Sequence, residues 1–427
     1  MNNKKKVQLL PKLRFPEFGK RAAWTVRQLN DFLFSAKRRN RDLELGPSEV
    51  LSVSGEYGCV NQIEFMGRSY AGVSVKDYHV VENGDLVYTK SPLKKNPYGI
   101  IKENKGKRGI VSTLYAVYRP LHGCSPTYLD HFFSGDYNLN AYLQPIVKKG
   151  PKNDMKVNNA DVLKGDICVP ELPEQQKIAD CLSSLDELVA AQARKVNTLK
   201  NYKNGLMQQL FPRDGETRPT LRFPEFQDAE EWVSKELVDL VNIHSGSTPS
   251  KANPDFWIGS IPWASAKDMK RLFLKDTEDH ISEAAVSCGA KLVPSGTLLL
   301  LTRGMTLLKD IPICVLLCKM SFNQDVKALR PKAGVDSIFL ALTLTGNKQR
   351  LLKMVDIAGH GTGKLNTDKL KVFSLLFPGP KEQQRIADFL SSLDTLINAA
   401  IQEIDALRSH KKGLMQQLFP LAETLNA

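Results

Sequence analysis

The strongest constraint on the fold is that the chain repeats itself at a fixed interval of 208 residues. Glu174–Asp180 returns as Glu382–Asp388 with a single lysine-to-arginine change. Three further matches keep this interval: Leu13–Phe18 with Leu221–Phe226, Trp24 with Trp232, and Gly205–Pro212 with Gly413–Pro420. A repeat of this kind means that one structural unit is built twice. We predict a repeated frame that holds two different inserts, at 19–170 and 227–377, because the sequence between the matches is largely unrelated.

The second regularity is a helical apolar pattern that closes each copy. Apolar residues recur at intervals of three and four over about five heptads, which predicts a coiled-coil seam. The seam positions are Ile178, Leu182, Leu185, Val189, Val196, Leu199, Leu206 and Leu210, and in the second copy Ile386, Leu390, Leu393, Ile397, Ile404, Leu407, Leu414 and Leu418. Both copies interrupt the seam with lysine, at Lys203 and Lys411. A polar seam residue usually sets register or partner.

Each predicted helix must bury its apolar stripe against something. We predict that the two helices pack on each other; the alternative is that each packs on its own globular domain. Pro173 and Pro380 suit helix starts, and Phe211-Pro212 and Phe419-Pro420 end both helices.

The inserts differ from the helices because their apolar runs are short and are broken by glycine and proline. This pattern is typical of mixed, strand-rich α/β domains. The predicted strands are Glu49–Ser54, Asp85–Thr89, Gly109–Ser112, Gly296–Arg303 and Pro312–Leu317. We therefore predict α/β (mixed α+β) recognition domains at 1–170 and 213–378, with helical segments at 171–212 and 379–427.

The net charge is +13, and the basic excess lies in the first half. Residues 1–212 carry 32 Lys and Arg against 21 Asp and Glu, whereas residues 213–427 carry 27 against 25. A basic chain favours polyanionic partners. We expect a soluble, cytoplasmic protein with no membrane partner, because neither a signal peptide nor a membrane-length apolar run is found. The seven scattered cysteines fit reduced thiols better than a metal pair at Cys314 and Cys318.

Basic residues in both inserts are candidates for contact with nucleic acid, because lysine and arginine neutralise phosphates. The first-half candidates are Lys90, Lys94, Lys95, Lys102, Lys105, Lys107, Arg108 and Lys156, and the second-half candidates are Lys251, Lys267, Lys270, Arg271, Arg303 and Lys364. A solvated loop is the alternative for the lysine run. Lys156 and Lys364, like Asn158 and Asn366, correspond at the repeat interval, which indicates a shared role in backbone contact or in domain architecture.

No catalytic motif or metal site stands out. Gly359–Lys364 resembles a phosphate loop, but Ala358 and Leu365 stand where that loop needs glycine and a hydroxyl residue. Asn96–Gly99 only partly matches the tetrapeptide of amino-methyltransferases. We therefore predict a non-catalytic chain that supplies position while partners supply chemistry.

Together these features resemble the specificity subunit of type I restriction-modification enzymes. The resemblance covers essentially the whole chain and rests on the repeated segments, with Gly246–Lys251, Ile261–Trp263 and Asn323–Asp325 adding to it in the second insert. It implies two target-recognition domains, each reading one half of a bipartite double-stranded DNA site, and antiparallel long helices that give an internal twofold pseudo-repeat. It also implies two modification (methyltransferase) subunits docked on the helices and two restriction (motor-nuclease) subunits. The chain itself would carry no cofactor; S-adenosylmethionine, ATP and magnesium would belong to those partners.

Three alternatives remain. The first is a specificity protein of a related system whose partner fuses methylation and cleavage. The second is a scaffold with two β-rich modules, for which no salt-dependent DNA binding is expected. The third is a self-sufficient methyltransferase or nuclease, which would need the motifs that are missing.

Overall fold

Two helices of 39 residues each organise the fold, Leu172–Leu210 (the first long helix) and Pro380–Leu418 (the second long helix). The structure is a computed structural model that describes residues 9–72, 74–90, 93, 95–149, 155–357 and 361–420. The chain divides into two compact units. Unit 1 comprises Met1–Arg194 and Ile401–Ala427, and unit 2 comprises Lys195–Ala400. Each unit therefore contains one insert and part of both long helices.

The predicted long helices are confirmed, and so are their ends. Both helices end at the leucine directly before a Phe-Pro pair, because proline has no N–H to continue the helical hydrogen bonding. Every predicted seam position is buried or half-buried. In unit 1, Ile178 and Leu418 belong to the same core as Tyr128. In unit 2, Leu210 and Ile386 likewise lie in one core. The helices thus pack together within each unit, and their ends also pack on the globular domain.

Unit 1 is built around a four-stranded antiparallel sheet in the order Leu33–Ser35, Tyr115–Pro120, Leu86–Thr89, Ile100–Glu103. Its other strands are Thr25–Gln28, Leu51–Ser54, Gly58–Asn61, His79–Val81, Gly109–Val111, Lys148–Lys149, Met155–Lys156 and Asp166–Val169. Its shorter α-helices are Gln62–Met66, Pro126–Ser134, Asp136–Leu143 and Asn159–Val162. The central strand Leu86–Thr89 is buried along its length, as expected for a strand covered on both faces.

Unit 2 contains a five-stranded sheet in the order Val241–Ser245, Val326–Pro331, Leu298–Leu301, Ile313–Leu316, Phe273–Leu274. A second sheet runs Asp279–Ile281, Ile261–Ala264, Met320–Phe322, Leu292–Val293. The remaining strands are Val233–Glu236, Arg303–Gly304, Val355–Ile357, Gly363–Leu365 and Ser374–Phe377. The shorter α-helices are Leu237–Leu240, Glu283–Ser287, Ser337–Gly346, Lys348–Leu352 and Thr367–Lys371.

The two inserts share a sheet topology despite their unlike sequences. The four-strand order of unit 1 matches the first four strands of the five-stranded sheet in unit 2, with antiparallel pairing throughout. The predicted mixed α/β class is therefore confirmed. Within the described residues, no helix combines the length and apolar character needed to cross a bilayer.

Candidate nucleic-acid interface

A buried ion pair joins the start of the first long helix to the N-terminal repeat segment in unit 1. Arg14 donates from Nε and Nη2 to the two carboxylate oxygens of Glu174, at 2.8 and 2.7 Å. Trp24 Nε1 also donates to Glu174, at 3.2 Å. The remaining Arg14 donors bind the carbonyls of Arg21 and Ala22. The hydrogen bonds that Arg14 donates to Glu174 raise the pKa of the Arg14 guanidinium.

Unit 2 repeats this arrangement. Arg222 donates to Glu382 at 2.8 and 2.7 Å, and Trp232 Nε1 donates to the same carboxylate at 3.4 Å. The guanidinium also binds the carbonyls of Ala229 and Glu230. The two side chains of this pair are only 5% and 3% exposed. We call the arrangement in either unit the arginine clamp; it explains why the Leu-Arg-Phe-Pro segment, the tryptophan and the helix-start glutamate recur together.

Next to each clamp, the two ends of the insert pair with each other. In unit 1, Thr25–Gln28 pairs antiparallel with Asp166–Val169. In unit 2, Val233–Glu236 pairs with Ser374–Phe377 in the equivalent register. We call this strand pair the neck. Each insert therefore leaves the frame and returns to it at one place.

The glutamine that follows the clamp glutamate fastens a helix of the insert to the long helix. In unit 1, Gln175 accepts from the backbone N–H of Ser125, at the start of helix Pro126–Ser134, and donates to Pro170 O. In unit 2, Gln383 accepts from Asp336 N–H and donates to Pro378 O. The Glu-Gln-Gln motif thus fixes the domain core to the helix.

The lysines that interrupt the seam have specific partners. In unit 2, Lys203 Nζ lies 2.6 and 2.7 Å from the carboxylate oxygens of Asp394, and these side chains are 14% and 20% exposed. In unit 1, Lys411 Nζ contacts both carboxylate oxygens of Asp186, at 2.5 and 2.6 Å. Both pairs join one long helix to the other, and the partners correspond at the repeat interval. Each unit therefore contains one ion pair within the seam, in the same antiparallel register.

The structure divides the predicted basic cluster of the first half into two groups. Along the chain, strand Ile100–Glu103 lies between the 90–95 segment and the 105–108 turn, and Lys102 belongs to that strand. Lys90 Nζ donates to Val157 O at 3.2 Å, Lys95 is exposed, and Lys94 lies outside the described residues.

Lys102, on the strand between the two groups, and two members of the second group have partners inside unit 1. Lys102 is 8% exposed and donates to Ser134 Oγ at 2.6 Å, which corrects its assignment as a DNA contact; burial lowers its pKa. Lys105 lies 2.8 Å from Asp130. Arg108 lies 2.8 Å from Glu44 Oε2 and 3.2 Å from Glu82 Oε1. Lys107 is exposed and stays a candidate.

In unit 2, segments that carry the family resemblance come together. The backbone N–H of Ser247 donates to Phe322 O, and Trp263 Nε1 donates to Ser247 O. Thr248 Oγ1 donates to the Oε1 atom of Gln324. A Cβ on Gly246 would lie 2.2 Å from the carbonyl oxygen of Asn323, so only glycine fits there.

The candidate cations of unit 2 are exposed but differ in their partners. Lys267 forms ion pairs with Glu278 and Asp279, at 3.0 and 2.9 Å. The other five candidates are exposed and form no ion pair with a described residue: Lys251, Lys270, Arg271, Arg303 and Lys364. Lys327, which sequence reasoning missed, donates to Ser245 Oγ at 2.5 Å. Its only sequence signal is that it follows Asn323–Asp325 by two residues.

The shared asparagines have an architectural role. Asn158 caps helix Asn159–Val162 by accepting from Ala160 N–H, and Asn366 caps helix Thr367–Lys371 by accepting from Asp368 N–H. Asparagine suits this position because its side-chain oxygen satisfies a free backbone donor. The backbone of Lys156 lies in strand Met155–Lys156; the structure does not describe its side chain. The glycine loop from Gly359 is described only from residue 361 onward.

Among the described residues, no group of three or more His, Cys, Asp or Glu side chains is placed to hold a metal ion. The cysteines are free; burial raises the pKa of Cys314 to about 12. The arrangement offers exposed cations and amides on two structured domains, which is chemistry for binding a polyanion.

Comparisons with known proteins agree with this picture. Residues 229–406 match the family model described as the type I restriction modification DNA specificity domain. The chain is similar to the type I restriction enzyme EcoR124I/EcoR124II specificity subunit of Escherichia coli, with 30% identity over 285 residues, 63% of this chain and 67% of that protein. It is also 34% identical over 199 residues to the MjaIX specificity subunit of Methanocaldococcus jannaschii, covering 44% of each protein.

Two solved structures share the fold. The S subunit of the type I restriction-modification system from M. genitalium matches 96% of this chain and 99% of its own length, with a TM-score of 0.58 and 13% identity. A chain from a study of complex assembly and conformational transition of the type I R-M system covers 93% of this chain and 97% of its own, with a TM-score of 0.54 and 19% identity.

Proposed function

Because this chain belongs to the family of type I restriction-modification specificity subunits, we propose that it recognises a bipartite double-stranded DNA site, with one half read by each insert. Such subunits are non-catalytic. Two modification subunits would bring S-adenosylmethionine and adenine methylation, and two restriction subunits would bring ATP- and magnesium-dependent translocation and cleavage. The recognition domains would span 1–170 and 213–378, with the helical segments 171–212 and 379–427 setting the gap.

The observation that carries this proposal is that the frame is conserved between the units while the inserts differ. The arginine clamp, the neck and the seam ion pair recur at the same interval in both units. Apart from a few positions, such as Asp31 with Asp239 and Lys156 with Lys364, the residues of the inserts do not recur at this interval. A constant frame with two unlike surfaces suits a protein that must hold two different recognition elements.

Equivalent apolar residues on the long helices support partner docking. Leu188 and Leu396 correspond at the repeat interval and are 52% and 56% exposed. A single exposed leucine is ordinary on a protein surface, but the same exposed leucine in both copies suits a docking site that occurs twice. We expect Leu188→Glu and Leu396→Glu each to reduce the number of bound modification subunits from two to one, measured by native mass spectrometry. Thr198→Glu is the matched control, because Thr198 is an exposed position on the first long helix between Leu188 and Lys203. This variant should still bind two modification subunits.

The direct test of the function is a genome-wide map of methylated adenine in cells with and without this gene. A bipartite motif that disappears on deletion supports the proposal, and an unchanged map contradicts it. The proposal also predicts that the affinity for duplex DNA falls steeply as the salt concentration rises, which a protein scaffold would not show. Insertion of one heptad in one long helix should change the gap between the half-sites but not their bases.

A further inference from the structure

Two cations face each other on an exposed three-stranded sheet of unit 2. Strand Arg303–Gly304 pairs antiparallel with Gly363–Leu365, and Arg303 stands directly opposite Lys364. Side chains opposite one another in such a pair share a face. Leu365, on the other face, is 2% exposed, so the row with Arg303 and Lys364 is directed to solvent. These residues lie 61 positions apart, and their proximity was not evident from the sequence.

This arrangement costs folding free energy, because like charges directly opposite on antiparallel strands destabilise the pair. Neither cation forms an ion pair with a described residue. Asp356 is the cross-strand neighbour of Lys364, but both of its oxygens accept from Lys369 Nζ, at 2.7 and 2.9 Å. The row is therefore suited to binding an anion.

The row is held firmly at one end. Thr302 N–H and Oγ1 donate to Asp325 O at 2.8 and 3.0 Å, and Arg303 N–H donates to the same oxygen at 3.2 Å. Leu365 N–H donates to Thr302 O at 2.9 Å. These bonds fix the strand to the Asn323–Asp325 turn before any ligand arrives, which reduces the ordering cost of binding.

An exposed carboxamide completes the surface. Gln324 belongs to the turn that anchors Arg303, and its Oε1 accepts from Thr248 Oγ1. With the oxygen engaged, its NH₂ group supplies donors for an acceptor outside the protein. Lys327 lies nearby: its pKa is lowered by burial and further by the charge of Arg303. An arginine and an amide donor next to two lysines match the acceptor edges of bases flanked by phosphates.

We propose that Arg303 and Gln324 contact base edges in one half of the DNA site, while Lys364 binds an adjacent phosphate. This rests on the proposed function, and it assigns to named residues the specificity of the half-site read by unit 2. Arginine binds guanine O6 and N7 through two hydrogen bonds, and an amide donor binds purine N7. Lysine acts on phosphate as a charge without sequence preference.

The test uses the full chain in cells that contain the partner subunits. The parent's methylated motif is mapped first, and parent binding to that duplex and to a scrambled duplex is measured over a range of salt. If the parent gives no bipartite motif, the proposed function fails, and the residue assignment fails with it. If the parent gives a motif, the variants Arg303→Ala, Arg303→Lys, Gln324→Ala and Lys364→Ala test the assignment alone.

We expect Arg303→Ala and Gln324→Ala to lose roughly 5- to 150-fold of the discrimination between correct and wrong bases, at positions within one half-site only. Arg303→Lys should keep the salt dependence of the parent but lose the discrimination, because lysine lacks the two-donor fork. Lys364→Ala should weaken binding to both duplexes equally and lower the salt slope by about one.

Arg330→Ala is the matched control, because Arg330 is an exposed arginine on a strand of the same unit with no ion pair to a described residue. It should leave the motif unchanged. Thermal melting shows whether each variant is folded, and Arg303→Lys preserves the charge if Arg303→Ala is unstable. The assignment is overturned if folded Arg303 and Gln324 variants methylate the parent motif with parent discrimination, or if degeneracy arises in both half-sites.

Discussion

The seam ion pair of unit 2 gives a quantitative prediction about the long helices. Lys203→Met replaces the ammonium group with an apolar chain of similar length and leaves Asp394, 20% exposed, without its partner. Breaking a fully buried ion pair costs about 3–5 kcal/mol, and an exposed one contributes about 0–1 kcal/mol. With one fifth of the aspartate still in water, we expect a loss of about 2 kcal/mol.

Removing both charges should have a much smaller effect. Asp394→Leu alone should cost about 1 kcal/mol, because the long lysine stem can move its charge toward water. The double variant Lys203→Met with Asp394→Leu makes the seam continuously apolar and should lie within about 1 kcal/mol of the parent. The sum of the two single effects would then exceed the effect of the double variant by at least about 2 kcal/mol. The ion pair would contribute specificity of register rather than net stability.

Native-state hydrogen exchange is the appropriate assay, because a chain with two units need not unfold in one step. Exchange is followed in peptides from 195–210 and 380–400 for the parent, both single variants and the double variant. The same set of variants at Lys411 and Asp186, two single and one double, is an internal control. Asp186 is 49% exposed, so its coupling should be smaller, below about 1 kcal/mol. Additive single effects in unit 2, or equal coupling in both units, would refute the reasoning.

Three further predictions concern single residues. Glu382→Ala leaves the buried guanidinium of Arg222 without its carboxylate and should cost unit 2 about 3–5 kcal/mol of stability. Glu225→Ala breaks a half-exposed pair with Arg385 and should cost under about 1 kcal/mol. A similar fall in the melting temperatures of the two variants would contradict this. Burial, reinforced by the charge of a seam lysine, lowers the pKa of His131 to about 4, below its unfolded value near 6.5. The unfolded state therefore takes up the proton first, so stability should fall as the pH drops from about 6.5 toward 4, and His131→Gln should flatten that slope in denaturation measured across the range. Exposed Cys288 should react with a thiol reagent in the folded protein, and buried Cys314 only after unfolding; equal labelling rates in mass spectrometry would refute this.

The frame could be predicted from sequence because its signals are local and repeated. The apolar spacing from Ile178 to Leu210 requires a long helix, and a proline after each helix fixes its end. The sequence also marks the seam lysines as residues that set register or partner, but it does not identify the aspartates that they contact. Those partners lie on the other helix, and only the register of the packed pair shows that Lys203 meets Asp394.

The surfaces of the inserts were less predictable because they depend on contacts between distant residues. Lys102 belongs to a basic run, yet its strand turns it into the domain core beside Ser134. Arg303 and Lys364 were separate candidates, and only strand pairing makes them one row. Charge in the sequence shows how many cations are present, whereas tertiary pairing decides which of them are available to a ligand.

The neck has a consequence for how such proteins change over generations. Its strands begin and end each insert side by side, and neighbouring strands lie only about 5 Å apart. Residues added to or removed from the interior of an insert therefore do not alter the separation of the two attachment points. Mutation can lengthen, shorten or replace what lies beyond the neck while the long helices keep their geometry. The equal separation along the chain of the neck strands, Thr25 to Val169 and Val233 to Phe377, is thus not a mechanical requirement.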